Sequence, residues 1–212
     1  MPTPNNTRAI DFECEKCHAP FQLKASRKAF SGKVVDGAYA SMMSAVKSAA
    51  VPHLLLMQYS LDTGVSHLQA IPSGLIVPHL IERRNPLSTS ARRAGWIGCN
   101  ILISAIPSFG RVDVIRNSTW MDQYLVRESF RVAQRLSSGS VLTRSWLVTV
   151  GKIVDELPDV FLLNDVYSYE NALMEKFPSN RNVRAKIRQQ LQILRDKGRI
   201  AFLGAGMYQK VC

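Results

Sequence analysis

Long apolar runs are what this chain of 212 residues most clearly lacks. No segment approaches the roughly 20 consecutive apolar residues that a membrane-spanning helix requires. Residues 1–10 are polar and do not contain the apolar stretch of a secretory signal. We therefore expect a soluble cytoplasmic protein that has no membrane partner.

Cysteine and acidic residues are also scarce. The chain has 4 cysteines, too few for a disulfide scaffold, and 16 acidic residues against 27 lysines and arginines, a net charge of +11. Such a charge is typical of proteins that meet a polyanion, although ribosomal and membrane-surface proteins share it. The charge is also concentrated, because eight basic residues and one acidic residue lie between Lys176 and Arg199.

Hydrophobic periodicity divides the chain near residue 140. The first part predicts strands at 10–13 and 21–25, a helix that begins at Tyr39, a hairpin of 54–60 with 65–71, and a loop-like region over 78–111. This alternation favours an α/β domain over residues 1–136. The run Ser137-Ser-Gly-Ser140 predicts a flexible linker over 137–141.

The second part, residues 142–212, predicts three helices followed by a hairpin. Apolar residues at helical spacing begin at Trp146, at Val166 and at Val183, the third helix starts after Pro178, and alternating residues from Ile200 predict the hairpin. Three helices followed by a two-stranded wing are the order of an α+β winged helix.

The third helix carries a basic and polar face beside its apolar stripe. Arginine can bind guanine or phosphate, and glutamine can bind adenine, so this face suits the major groove of DNA. A solvated basic face is the alternative interpretation. The candidate DNA-binding residues here are Arg181, Arg184, Arg188, Gln189, Gln192 and Arg195.

A carboxylate and a lysine on neighbouring predicted strands form the candidate catalytic group. Gln22 and Lys24 are two residues apart, so their side chains leave the same face of a strand, where Asp11 on the partner strand can meet them. Phosphodiester hydrolysis uses a metal ion and a group that activates water, and Mg²⁺ prefers carboxylate ligands. The pattern resembles the PD-(D/E)xK motif, with an amide in place of its second acid, and by itself it also arises by chance.

Cys14 and Cys17 form a C-x2-C between these strands. Zinc requires four ligands. His18 and Cys99 are candidates for further ligands, and a half-occupied or vestigial knuckle is the alternative.

A third candidate is the segment 91–100, which contains Arg92 and Arg93 beside Trp96, a tryptophan flanked by glycines. Loops with arginines and one aromatic ring can approach phosphates and wedge between bases. A buried tryptophan flanked by exposed arginines is the alternative interpretation.

Together these segments resemble the DpnI-type methyl-directed restriction endonucleases, the Dam-replacing family. The resemblance is carried by Asp11-Phe12, Cys14 with Cys17, Leu23-Lys24, Asp36-Gly-Ala-Tyr-Ala40 with Met42-Met43, Ala91-Arg-Arg-Ala-Gly-Trp-Ile-Gly-Cys-Asn100 and Lys186-Ile-Arg-Gln-Gln-Leu-Gln-Ile-Leu-Arg-Asp-Lys197. It implies a PD-(D/E)xK domain and a winged helix. It also implies a bacterial type II enzyme that uses Mg²⁺ to cut both strands of DNA at GATC sites with methylated adenines, and that has no small-molecule substrate.

The chain departs from the family pattern at two points. Gln22 stands where the family has Glu, so Asp11 and Gln22 are expected to hold Mg²⁺ weakly while Lys24 acts on the nucleophilic water. The family also has a further N-terminal segment with a second C-x2-C, and Zn²⁺ is expected only with that segment, so we expect a truncated or divergent copy. A catalytically silent binder of methylated DNA is the alternative function, and a transcription factor indifferent to methylation is another.

Overall fold

The computed structural model describes residues 10–211, and the first part of this range is a mixed α/β domain built on two sheets. Its elements, in chain order, are β1 (Phe12–Glu13), β2 (Pro20–Ser26), β3 (Val34–Ala38), α1 (Tyr39–Lys47), β4 (His53–Ser60), β5 (Gly64–Ile71), β6 (Ile81–Arg83), β7 (Gly98–Ile101), β8 (Val112–Arg116), β9 (Thr119–Trp120) and α2 (Gln123–Leu136). The predicted α/β class is confirmed for this region.

The larger sheet has six strands in the order β1-β2-β4-β5-β8-β9. All its neighbouring strands are antiparallel except β2 and β4, which run parallel. A parallel pair needs a crossover, and residues 27–52 provide it by way of β3 and α1. The strand β2, which carries Gln22 and Lys24, is therefore fixed between β1 and β4.

The smaller sheet has the order β3-β7-β6 and is antiparallel throughout. Two of its strands lie within residues 78–111, so the prediction of a loop-like region there was wrong. The reason is that Pro, Ser and Arg are local signals, whereas β7 is stabilised by pairing with β3, more than 60 residues earlier in the chain. All four residues of β7 are buried.

The second part is a helical domain with a small antiparallel sheet. Its elements are α3 (Val141–Glu156), β10 (Val160–Leu162), α4 (Leu163–Tyr167), α5 (Glu170–Lys176), α6 (Val183–Asp196), β11 (Ile200–Gly204) and β12 (Met207–Lys210). The sheet order is β10-β12-β11, so the terminal hairpin lies beside the helices as a wing would. No helix within residues 10–211 has the length and apolar character needed to cross a membrane.

The apolar stripes predicted for this part form one core. Trp146, Val166, Leu173, Ile187 and Leu191 are all at most 1% exposed and belong to the same buried cluster. Burial of large apolar side chains is the main favourable term in folding. The packing of α3 and α4–α5 behind α6 therefore fixes which face of α6 is left to solvent.

Two helix boundaries differ from the sequence prediction. The predicted second helix is divided into α4 and α5 at Ser168, whose hydroxyl donates to the carbonyl oxygen of Asp165 and so competes with the helical bonds. The third helix begins at Val183, and not directly after Pro178, because the side chain of Asn180 accepts the amide of Asn182 in a turn. Arg181 therefore lies before the helix, in the turn that leads into it.

The two parts meet along α3. Nη1 of Arg144 donates to the carbonyl oxygen of Gly74 at 3.0 Å, and Oγ of Ser108 donates to Asp155 at 2.8 Å. The connection between α2 and α3 is four residues long, and Ser137 within it is buried. These contacts hold the helical domain against the sheet domain.

Candidate active site and nucleic-acid interface

Gln22 and Lys24 leave the same face of β2, as their spacing predicts. Both side chains bind one oxygen, Oδ1 of Asp36: Nζ of Lys24 lies 2.6 Å from it and Nε2 of Gln22 lies 3.0 Å from it. The side chain of Asp36 is 10% exposed and that of Lys24 is 22% exposed. The structure thus places a second carboxylate beside the two candidate catalytic residues.

Asp36 is the site residue that sequence reasoning missed. It lies on β3, in the smaller sheet, and reaches a strand of the larger sheet. Its only sequence signal is its place in the family-like segment Asp36-Gly-Ala-Tyr-Ala40, which says nothing about which strand it faces. Because β3 and β2 are not hydrogen-bonded neighbours, no rule of strand register could have placed it.

The orientation of the Gln22 amide follows from its partner. A carboxylate without a proton only accepts hydrogen bonds, so the NH₂ group of Gln22 must face Asp36. Its carbonyl oxygen, Oε1, is therefore the atom left to accept a hydrogen bond or bind a cation. Gln22 is 5% exposed, so this oxygen is held in a nearly buried position.

Asp11 approaches the same strand from β1. β1 pairs with β2 through Phe12 with Phe21 and Glu13 with Pro20, and Asp11 lies just before β1, where its amide donates to the carbonyl oxygen of Phe21. Oδ2 of Asp11 accepts the backbone amide of Leu23 at 2.6 Å. The carboxylate of Asp11 is therefore bonded to the backbone of Leu23, the residue between Gln22 and Lys24.

A cavity of about 700 Å³ adjoins this group. It is lined by Gln22 and Asp36, by residues along the length of α1, and by Arg93 and Trp96. The cavity is therefore bordered by an acidic side chain on one side and a cationic one on another.

The loop that carries Arg92, Arg93 and Trp96 is ordered by its own backbone bonds. The amide of Leu87 donates to the carbonyl oxygen of Trp96, and the amide of Gly95 donates back to that of Leu87. The guanidinium of Arg93 lies 4.7 Å from the centre of the Trp96 ring, while Arg92 is exposed. Trp96 is half-buried, and a side chain at Gly98 would lie within 3 Å of its ring.

Cys14 and Cys17 lie in the turn between β1 and β2. Backbone amides of Cys17 and Lys16 donate to the Cys14 sulfur and lower the pKa of its thiol. Such N–H···S bonds favour the thiolate that zinc binds. Within residues 10–211, no group of three or more Cys, His, Asp and Glu side chains is arranged to hold a metal ion.

Cys99 is not part of that turn. It lies on β7 and its thiol donates to the carbonyl oxygen of Gly37 at 3.4 Å. Burial, together with the charge of Asp36, raises the pKa of this thiol to about 11. Within residues 10–211, Cys99 belongs to no group of three or more side chains that could hold a metal ion.

The exposed face of α6 carries the arginines and glutamines expected from the sequence. Two of them are held by neighbouring helices: Nε of Arg184 donates to Glu170 at 2.8 Å, and Arg188 donates to the hydroxyl of Tyr167 at 2.7 Å. The remaining members of the face are solvent-exposed Gln189, Gln192 and Arg195, with Arg181 just before the helix. This face points away from the buried stripe of Val183 and Ile187.

The fold and the exposed basic helix define a class of protein: a mixed α/β domain joined to a helix-turn-helix domain of the kind that binds DNA. Comparison with protein families identifies it further. Residues 2–139 match the family described as DpnI, Dam-replacing family, and residues 142–210 match DpnI_C, Dam-replacing HTH domain. The chain belongs to the Dam-replacing family, and the resemblance inferred from the sequence is confirmed.

Proposed function

We propose that this protein is a methyl-directed type II restriction endonuclease that cuts both strands of DNA at GATC sites whose adenines are methylated. The observation that carries the proposal is the convergence of Lys24 and Gln22 on Asp36 beside a cavity edged by Arg93. An amine, an amide and a carboxylate at one point suit the hydrolysis of a phosphodiester better than DNA binding alone. Membership of the Dam-replacing family supports the same activity.

The side chains of this group fit a magnesium ion. Carboxylate and carbonyl oxygens are the ligands that Mg²⁺ prefers, and Asp11 and Gln22 would hold it through Oδ and Oε1. When bound, Mg²⁺ would neutralise the charge that develops on the scissile phosphate. Lys24 orients the nucleophilic water through Nζ, which already donates to Asp36. A site with this few charged ligands is expected to bind Mg²⁺ weakly.

The C-terminal domain would act as a winged helix on double-stranded DNA. In this arrangement α6 enters the major groove with Arg184, Arg188 and Gln192, and the hairpin β11–β12 follows the backbone. Arginine and glutamine are the side chains that bind guanine and adenine edges there. The Arg92–Trp96 loop of the first domain would contact the same DNA near the cavity.

The proposal is tested with two preparations of one plasmid, methylated or unmethylated at the GATC adenines. The purified protein is incubated with each in the presence of Mg²⁺, and products are sized on a gel. Fragments that end at GATC sites from the methylated plasmid alone are the expected result. Equal cutting of both plasmids would contradict methyl-directed cleavage, and cutting that persists in EDTA would contradict the role of Mg²⁺.

A second function, a catalytically weak or inactive binder of methylated DNA, is favoured by one observation: position 22 carries an amide. If the protein cuts no DNA at high concentration but still binds methylated DNA in a gel shift, it is such a binder and not a nuclease. Binding that is equal for methylated and unmethylated DNA, without cutting, would instead indicate a transcription factor.

A further inference from the structure

We infer that Asp36, on β3, supplies an acidic metal ligand to the site, where position 22 on β2 carries an amide. This inference rests on the proposed metal-dependent function. It concerns a residue on a different strand, in a different sheet, from the residues of the sequence motif.

The first support is position. Asp36 Oδ1 lies 3.0 Å from Nε2 of Gln22, and the two side chains line the same cavity. A carboxylate at position 22 would lie in contact with Asp36. Two carboxylates at so short a distance repel each other unless a cation lies between them. One carboxylate at this point, on either strand, gives the cavity the negative charge that a cation requires.

The second support is the charge balance. The carboxylate of Asp36 is nine-tenths buried, and burying an ionised carboxylate without a partner is costly. Lys24 provides the compensating charge at 2.6 Å. An ammonium ion and a divalent cation can use the same carboxylate oxygen, and Gln22 offers Oε1 beside it as a second, neutral ligand.

A purely structural ion pair is the competing explanation, and the chain contains a matched example. Asp113 accepts a side-chain amide, Nε2 of Gln69, at 2.7 Å from the neighbouring strand, and it also binds the guanidinium of Arg116. Asp113 thus has the same kinds of partner and similar burial, 14% exposed, but does not line the cavity. It serves as the control for Asp36.

The experiment measures Mn²⁺ and Mg²⁺ binding to the full chain by calorimetry, with thermal melting of each variant. The unchanged chain is expected to bind Mn²⁺, Asp36→Asn to bind it at least tenfold more weakly, and Asp113→Asn to bind it as the unchanged chain does. The double variant Asp36→Asn with Gln22→Glu returns an acid to β2 and is expected to recover most of the lost affinity.

Asp36→Asn leaves Lys24 unpaired and can lower stability, so Asp36→Asn with Lys24→Met is measured beside it. This double variant lacks both charges. It is expected to stay folded and to bind Mn²⁺ as weakly as Asp36→Asn does. The inference is overturned if Asp36→Asn binds Mn²⁺ like the unchanged chain, if Asp113→Asn loses as much affinity, or if the unchanged chain binds no Mn²⁺.

Cleavage of methylated plasmid is measured on the same samples and separates the two proposals. If the protein binds Mn²⁺ through Asp36 but never cuts DNA, the proposed nuclease function is wrong and the inference about Asp36 stands. If the Asp36→Asn variant cuts DNA as well as the unchanged chain does, the nuclease function stands and Asp36 is not part of its active site.

Discussion

The amide of Gln22 donates a hydrogen bond to Asp36 across 3.0 Å, and together with the Lys24–Asp36 ion pair it joins the larger sheet to the smaller one at the candidate active site. It also explains how the amide of Gln22 is accommodated at a position that is only 5% exposed. The neutral side chain satisfies a buried carboxylate that a second carboxylate would repel. We therefore expect the amide to stabilise the metal-free protein and to be a weaker ligand of the proposed metal ion than an acid would be.

Gln22→Glu is expected to lower the stability of the metal-free protein and to raise its affinity for metal. Without metal, two adjacent carboxylates share one lysine, and the free energy of unfolding should fall by about 1–3 kcal/mol because a buried acceptor loses its donor. With Mn²⁺ or Mg²⁺ the loss should be recovered, and cleavage of methylated DNA should increase. Thermal melting with and without metal checks this.

The matched control for that change is Gln69→Glu beside Asp113, which meets the same kind of carboxylate outside the cavity. It should be destabilised without being rescued by metal. If metal rescued both variants equally, the effect would not belong to the candidate site.

Arg184→Ala is expected to weaken DNA binding. Its guanidinium is held by Glu170 and lies 4.9 Å from the centre of the Tyr167 ring, so the side chain is ordered before DNA arrives. Loss of one phosphate or base contact should reduce affinity roughly tenfold and lower the salt slope by about 1. Fluorescence anisotropy over a range of salt concentrations measures both quantities.

Arg131→Ala is the control for that experiment, because Arg131 is an exposed arginine paired with Glu128 on α2, outside the helix-turn-helix domain. It should change DNA affinity little. An equal loss in both variants would mean that net charge, and not α6, sets the affinity.

Gly151→Ala is expected to destabilise the protein although alanine is the better helix former. In a free helix the change would be worth about 1 kcal/mol in favour of alanine. Here the added Cβ would lie 2.6 Å from the ring of Phe109 and 3.1 Å from Pro107, both in the first domain. We expect overpacking to outweigh propensity, with a net loss of about 1–2 kcal/mol in urea unfolding. A more stable variant would show that α3 and the first domain can separate at no cost.

His79 is expected to make the protein less stable as the pH falls. It is buried against α3, where Nε2 lies 3.3 Å from the Thr149 hydroxyl, and burial, with a smaller contribution from Lys176, lowers its pKa to about 3 from an ordinary value of 6.5. Between these two values the unfolded chain binds a proton that the folded protein does not. Stability is therefore greatest above pH 6.5 and declines toward pH 3.

His79→Gln should flatten this decline when melting temperature is measured from pH 7 to pH 4.5. Thr149→Val removes the hydroxyl and keeps the titrating ring, so it should lower stability while leaving the slope in place. An unchanged slope in His79→Gln would assign the acid sensitivity to other groups.

The sequence by itself determined the features that depend on local spacing. Period-two alternation placed Gln22 and Lys24 on one face of β2, and period 3.6 placed Val183, Ile187 and Leu191 in the core beneath an exposed basic face. Side-chain direction within one strand or helix is set by backbone geometry, so a few residues suffice to predict it. Family membership followed from the same short segments.

Tertiary structure alone decided which distant residues meet. Asp36 reaches Lys24 because β3 of the smaller sheet lies against β2 of the larger sheet, with which it shares no backbone pairing, and the strands within 78–111 exist because β7 pairs with β3. Likewise Cys99 lies on β7, where its thiol donates to the carbonyl oxygen of Gly37, and not in the turn of Cys14 and Cys17. These outcomes depend on packing between segments far apart in the chain, and no local pattern encodes the energy of that packing.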